Sequence, residues 1–341
     1  MLKLFYYPFN LKLKSRFTLS TGSRYETPAV LLELKYENLT GYGEASLPPY
    51  LGTATQDVLN EFGKLERMNF NSPGELEDYF TTHQTELLNI PPAAAALDTA
   101  LYDLKSKMNQ RPLYELLGLP EPQPVETSYT ITYDTEENLK RNLDLAEDYK
   151  ILKVKIGTPA DDEFIRMLRR FTDKPFFADV NQGWKSFEEA ILKTKKIASE
   201  GALLIEQPLP TDMVKETARL RRQSPVPIIA DESVQSLRDL DIAAEAFDGI
   251  NVKLMKCGGI RQAVKLMNKA KEMNLKIMLG CMTETSCAVS AALHISSLAD
   301  FHDLDGALLI SNDLFSGIRY QNGRISIKSA PGLGISKIAN N

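Results

Sequence analysis

Six ionisable residues stand at a recurring place in this chain: Lys153 and Lys155 in "ILKVKIG", Asp179 in "ADVNQGW", Glu206 in "IEQP", Asp231 in "ADES" and Lys253 in "NVKLMK". Each closes a short, apolar, β-branched run. Residues i and i+2 of a strand point the same way, so Lys153 and Lys155 share one face of theirs. Taken singly, the lysines would suit a solvated edge strand, and any one acid a helix N-cap or a surface ion pair. Taken together they imply chemistry. Three carboxylates converging at low dielectric repel one another unless a cation compensates them, and hard oxygen donors select Mg²⁺ or a similar ion. An amine beside such an ion can take the proton from a carbon next to a carboxylate, and burial near another cation and the metal lowers the pKa of such an amine. Two lysines facing opposite sides of one carbon would invert it: one removes the proton and the other returns it on the far face.

These residues need a scaffold that repeats. From residue 125 onward eight strand-like runs recur: "VETSYTI", "ILKVKI", "PFFADV", "ALLIEQ", "VPIIAD", "GINVKL", "LKIMLG" and "GALLIS". Amphipathic, charge-rich stretches such as "SFEEAILKTKKIASE" and "GIRQAVKLMNKAKEM" separate most of them. The run ends from Lys155 to Gly280 are spaced by 22 to 27 residues, one βα unit each. Eight parallel strands with crossover helices close into a (β/α)₈, TIM-like barrel of roughly 200–250 residues, whose active groups sit at the C-terminal strand ends. A doubly wound open sheet is the alternative, because periodicity does not prove closure.

Residues 1–120 read differently. The alternating segments "LKLKSRFTLS" and "AVLLELKYE" predict an antiparallel sheet, and "TQDVLNEFGKLERM", "SPGELEDYFTTHQTELL" and "AAAALDTALYDLKSKM" predict helices, together an α+β domain. Pro120, Pro122 and Pro124 mark its boundary, which gives 1–120 as a capping domain, 121–312 as the catalytic barrel and 313–341 as a segment returning to the cap with a hairpin through "QNGR".

Composition narrows the function. A net charge of −5 over 341 residues leaves no basic footprint for nucleic acid. No run of about 18 apolar residues predicts a membrane span, and the N-terminus alternates like a strand rather than a signal peptide. Cys257, Cys281 and Cys287 fit neither a disulfide framework nor a zinc site, so they read as reduced thiols of a cytoplasmic protein. His83, His294 and His302 lack metal-ligand spacing and read as structural. A homo-oligomer is compatible with this composition.

The ensemble "KVKIG", "DVNQGW", "IEQPL", "ADES" and "NVKLMKCGGI", in this order, resembles the enolase superfamily in its muconate-lactonizing subgroup. The resemblance implies Lys155 and Lys253 as the acid/base pair, and Asp179, Glu206 and Asp231 as ligands of one Mg²⁺ per subunit. Within the subgroup, "HDLDG" is similar to the Asp-x-Asp of dipeptide epimerases, which implies that Asp303 and Asp305 hold the ammonium terminus of a dipeptide substrate. By the same resemblance "LGCMTET" lines the pocket with backbone donors at Cys281, Met282 and Thr283, and Thr130 and Lys153 touch substrate. Arg24, in the "STGSRYETP" loop, matches an arginine that meets a side-chain carboxylate, whereas the apolar "LPPYLGT" loop leaves hydrophobic second residues open. The implied activity is epimerisation of the second residue of an L-Ala-Xaa dipeptide by two-base 1,1-proton transfer through an enolate. Muconate cycloisomerase and o-succinylbenzoate synthase are the alternatives on the same fold. A Schiff-base aldolase would use one lysine but leave the three acids without a task, and a non-catalytic descendant would not be expected to keep all five positions.

Overall fold

The computed structural model describes residues 1–19 and 22–339. Three long strands open the chain: β1 (Lys3–Leu19), β2 (Gly22–Tyr36) and β3 (Leu39–Ser46), antiparallel and adjacent in that order. Val30, Leu32 and Leu34 alternate along β2 into a core with the helices Thr55–Arg67 and Pro91–Met108, while Leu31, pointing the other way, joins the core of the following domain. The β1–β2 register shifts between Lys12 and Phe17, a break that sharpens the twist of the hairpin.

After the short strand β4 (Val125–Glu126) come β5 (Tyr129–Ile131), β6 (Leu152–Lys155), β7 (Phe176–Asp179), β8 (Ala202–Glu206), β9 (Ile228–Ala230), β10 (Gly249–Val252), β11 (Lys276–Gly280) and β12 (Phe301–Asp303). Strands β5 to β12 form one parallel sheet in strictly sequential order. A doubly wound sheet would reverse direction at a switch point, so this order excludes it. The seam between β12 and β5 is bridged by Ser128 N donating to His302 O at 3.2 Å. The result is a nearly closed eight-stranded barrel with the N-terminal sheet as its cap.

Strand parity places the chemistry. Phe177, Leu204, Ile229 and Met278 form an apolar layer inside the barrel, and two residues further along those strands stand Asp179, Glu206, Asp231 and Gly280. Burying each of the four apolar side chains is worth about 1.5–3 kcal/mol, a floor on which a polar layer can rest. Gly280 is a glycine for space: a Cβ there would come within 2.5 Å of Asn251 Oδ1.

Two readings of the sequence are corrected. The eighth barrel strand is β12, not "GALLIS". That apolar run pairs instead with the cap, Lys14 N donating to Leu309 O at 2.9 Å and Ser311 N to Lys12 O at 2.8 Å, because Ile310 is buried against Leu11 and Ala29. The Arg24 loop is strand from Gly22 onward; Ser20 and Thr21 lie outside the described residues. The tail forms β13 (Phe315–Ser316), β14 (Ile318–Gln321), β15 (Arg324–Ile327) and β16 (Ser336–Lys337), with Asn322 and Gly323 making the tight turn of the β14–β15 hairpin at positive φ. Among the described residues no helix is long and apolar enough to cross a membrane.

Candidate active site

The C-terminal strand ends meet beneath the cap in a cleft of about 470 Å³ of atom-free space. Phe17, Arg24, Pro48, Tyr50, Thr130, Lys155, Asp231, Lys253, Cys281, Met282, Thr283, Asp303 and Asp305 are among the residues that line it. A larger hollow lies between residues 84–91 of the cap and residues 232–239, but neither Lys155 nor Lys253 reaches it.

Asp179, Glu206 and Asp231 are fully buried, and one oxygen of each lies within 4.8 Å of the others. Glu206 Oε2 sits 2.8 Å from Lys153 Nζ, an ion-pair distance, yet makes no hydrogen bond. A fully buried set of three hard oxygen ligands within reach of one another fits a small divalent cation. Around this set the ammonium groups converge: Lys155 Nζ lies 2.5 Å from Asp179 Oδ2, and Lys253 Nζ 2.6 Å from Asp231 Oδ2. Burial pushes the Asp231 carboxyl up, but Lys253 and Lys256 outweigh it and hold it well below the usual range. Glu206 goes the other way, raised to about 7 by burial and then by Asp179. Burial pulls the Lys253 ammonium down, as the sequence leads one to expect, but Asp231, Tyr50 and Glu206 together hold it well above the ordinary lysine value.

Lys153 and Lys155 do share a face, for both ammonium groups reach Asp179 Oδ2, at 3.2 and 2.5 Å. Lys155 lines the cleft. Lys153, 1% exposed, lies beneath it, tied to Asp303 at 2.6 Å as well as to Glu206 and Asp179.

Asp303 and Asp305 sit side by side but are not equivalent. Asp303 Oδ1 accepts from Ser128 Oγ and Oδ2 from Lys153 Nζ, both at 2.6 Å. Asp305 Oδ2 accepts from Thr130 N at 2.6 Å, and the Thr130 side chain also supports the carboxyl. Burial, then the neighbouring Asp303 charge, raises Asp305 to about 7. Of the three expected backbone donors, Cys281 N is spent on Asp303 O (3.1 Å) in the β11–β12 ladder and Met282 N on Glu284 Oε1 (3.0 Å). Among the described residues only Thr283 N remains open. Arg24, half-buried, donates from Nε to Thr27 Oγ1 at 3.1 Å and stands 4.8 Å from the Phe17 ring centroid.

Several contributors escape a reading of the sequence alone. Asn251 Nδ2 donates to Glu206 Oε1 at 2.8 Å, and Gln207 Oε1 accepts from Asp231 N at 3.0 Å. Strand parity points to Asn251, two residues before Lys253 in an otherwise apolar strand. Lys256 Nζ reaches Asp231 Oδ1 at 2.5 Å and Asn251 O at 2.9 Å. It lies in the one-turn helix Leu254–Cys257 beyond the strand, where no local pattern marks it as buried. Phe17 and Tyr50 come from the cap, and only the docking of the two parts brings them in.

Residues 2–118 match the family described as mandelate racemase / muconate lactonizing enzyme, N-terminal domain, and residues 135–337 match the enolase C-terminal domain-like family. The chain is 43% identical over 338 residues, covering 99% of it and 88% of the relative, to the L-Ala-D/L-Glu epimerase of Bacteroides thetaiotaomicron. A dipeptide epimerase of Cytophaga hutchinsonii, solved with Mg and D-Ala-L-Val, superposes with a TM-score of 0.91 at 25% identity, covering 99% of this chain and 96% of that one. The substrate-liganded L-Ala-D/L-Glu epimerase of Bacillus subtilis superposes with a TM-score of 0.88 at 28% identity, with 99% of each chain covered. With both of its parts matched in order and a relative of this identity along nearly its whole length, the chain belongs to the mandelate racemase / muconate lactonizing enzyme family of the enolase superfamily.

Proposed function

We propose that this protein is a Mg²⁺-dependent dipeptide epimerase that inverts the α-carbon of the second residue of an L-Ala-Xaa dipeptide. One observation carries the reading: Lys155 and Lys253 line the same cleft from β6 and from the end of β10, four strands apart in a ring of eight and therefore on opposite sides of it, with the Asp303–Asp305 pair between them in the lining. Asp179, Glu206 and Asp231 would hold the ion, one per subunit, which when bound supplies Lewis-acid stabilisation of charge developing on the substrate carboxylate. Lys155 and Lys253 then work as the two bases, one taking the α-proton and the other returning it on the far face. Lys253 is aimed by its ion pair with Asp231, so the same carboxylate positions this base. Asp305, steadied by Thr130 and backed by Asp303, receives the substrate ammonium. Lys153 and Ser128 fix Asp303 so that the pair keeps its aim. Arg24 reaches the second side chain, and Cys281, Met282 and Thr283 form the wall, with Thr283 N as its donor.

In this reading residues 1–120 cap the barrel of 121–312, and 313–341 strap the two together, which Lys337 Nζ on Glu33 Oε1 (2.5 Å) and Leu333 N on Asp103 Oδ1 (2.8 Å) support. The three free cysteines suit the cytoplasm. The Asp pair disfavours muconate cycloisomerase and o-succinylbenzoate synthase, which have no evident use for two carboxylates aimed at an ammonium group. Incubating the protein with Mg²⁺ and an L-Ala-Xaa library in D₂O tests the proposal: α-deuterium should enter the second residue of free dipeptides. Exchange confined to N-acylated amino acids would replace it with an N-acyl amino-acid racemase.

A further inference from the structure

Resting on the reading above, we propose that Thr27 is a positioning residue that makes the second-residue subsite select an acidic side chain. Thr27 lies on β2, fully buried, and its hydroxyl oxygen accepts twice: from Arg24 Nε at 3.1 Å and from Thr283 Oγ1 at 2.8 Å. A hydroxyl has two acceptor lone pairs, so both are committed. Arg24 is paired in register with Phe17 across the hairpin, and its guanidinium carbon stands 4.8 Å from that ring's centroid. The guanidinium is therefore held on its face by the ring and along its Nε edge by the hydroxyl. Its two terminal nitrogens make no hydrogen bond among the described residues and form an open fork on the cleft wall. A planar fork recognises a carboxylate through two parallel hydrogen bonds only when its orientation is fixed.

Thr27 joins this fork to Thr283, which also lines the cleft. The Thr283 backbone does not depend on Thr27, because Ser46 Oγ donates to Thr283 O at 2.7 Å. Loss of the Thr27 hydroxyl should thus leave the donor at Thr283 N and the lysine–carboxylate centre in place while the guanidinium keeps its charge and loses its direction. The cost falls on an anionic second residue and spares an uncharged one.

The experiment compares native protein, Thr27→Val, which keeps the volume but has no hydroxyl, and Thr27→Ser, which keeps the hydroxyl. kcat and KM are measured for L-Ala-L-Glu and its uncharged isostere L-Ala-L-Gln with Mg²⁺ present, alongside thermal melts. Thr27→Val should lower the Glu-over-Gln ratio of kcat/KM by about tenfold through KM for L-Ala-L-Glu, as expected for loss of an oriented charge-assisted contact, and Thr27→Ser should restore it. A parallel fall for both dipeptides, no change in the ratio, or a serine variant as poor as the valine one overturns the proposal. Arg24→Lys keeps the charge but has no Nε to anchor, so it should reproduce the valine pattern even where valine impairs folding, and native-like selectivity in it refutes the anchoring. Native protein that epimerises L-Ala-L-Gln as well as L-Ala-L-Glu removes the acid subsite but leaves the epimerase reading standing. Native protein inert to every L-Ala-Xaa dipeptide removes both.

Discussion

Replacing Asp305 with asparagine should lower activity and raise stability in the same protein. The carboxyl is 3% exposed and is raised from 3.8 to about 7 by burial and then by the charge on Asp303. An acid whose folded pKa lies above its unfolded value keeps its proton while the unfolded chain releases it. Its contribution to stability is therefore lost as pH rises from about 4 to about 7, and the full penalty stands above pH 7. A displacement of this size is worth about 4 kcal/mol. Asparagine carries no charge to strand and its Oδ1 can still accept from Thr130 N, so at pH 8 Asp305→Asn should melt several degrees above native protein.

Turnover should move the other way. Only the ionised Asp305 gives the substrate ammonium a charged acceptor, a contact worth about 1.5–3 kcal/mol, so kcat/KM on L-Ala-L-Glu should drop by roughly ten- to hundredfold. Between pH 6 and pH 7 the ionised fraction of a group with a pKa near 7 climbs from about one tenth to about one half, while a dipeptide amine of pKa about 8 stays charged. Native KM should then fall about fivefold over that interval, and the variant's should stay flat. Steady-state kinetics at pH 6.0, 6.5 and 7.0 with melts at pH 8 would decide it. A variant that is less stable than native at pH 8, or that keeps the native KM profile, refutes the reasoning.

Chelation should abolish turnover and Mg²⁺ restore it, with a rise in Tm on adding Mg²⁺ that Asp179→Asn, Glu206→Gln or Asp231→Asn each removes; a metal-free protein of full activity would sink the assignment. Lys155→Ala and Lys253→Ala should each end net epimerisation and retain α-deuterium exchange from at most one stereoisomer, and near-native epimerisation by either disproves a two-base mechanism. His294 is buried, accepts from Tyr114 N at 3.2 Å and is lowered by burial from 6.5 to about 4, so the neutral ring contributes stability that is lost as pH falls from 6.5 towards 4, roughly 3 kcal/mol in all. In His294→Gln, denaturant midpoints between pH 4 and 7 should lose that part of their slope, and an unchanged slope would place the acid sensitivity elsewhere.

Much of the site is legible in the sequence itself because strand parity and the βα period are local properties of the chain. Lys155, Asp179, Glu206, Asp231 and Lys253 each end an apolar run, and the eight-fold recurrence tells where such ends must gather. What tertiary structure alone decided is how a shared set of charges is divided. Asp303 and Asp305 look alike in "HDLDG", yet Lys153 and Ser128 hold the first while Thr130 holds the second, and residues 128, 130 and 153 are brought there only by closure of the barrel. Cys281, Met282 and Thr283 are equal candidates as donors until the β11–β12 ladder and Glu284 use up two of them. The run "GALLIS" has the composition of a strand and forms pairing, but with the cap hairpin, since a local apolar pattern states that a segment will be buried without naming its partner. Thr27 and Tyr50 lie in the "STGSRYETP" and "LPPYLGT" segments, but nothing local marks those two residues within them, and Phe17 carries no motif at all. Their place at the cleft comes from docking the cap, with its β1–β2 hairpin and the turn that follows β3, over a barrel mouth distant in sequence, a contact set by the fit of two cores and not by any spacing within one strand.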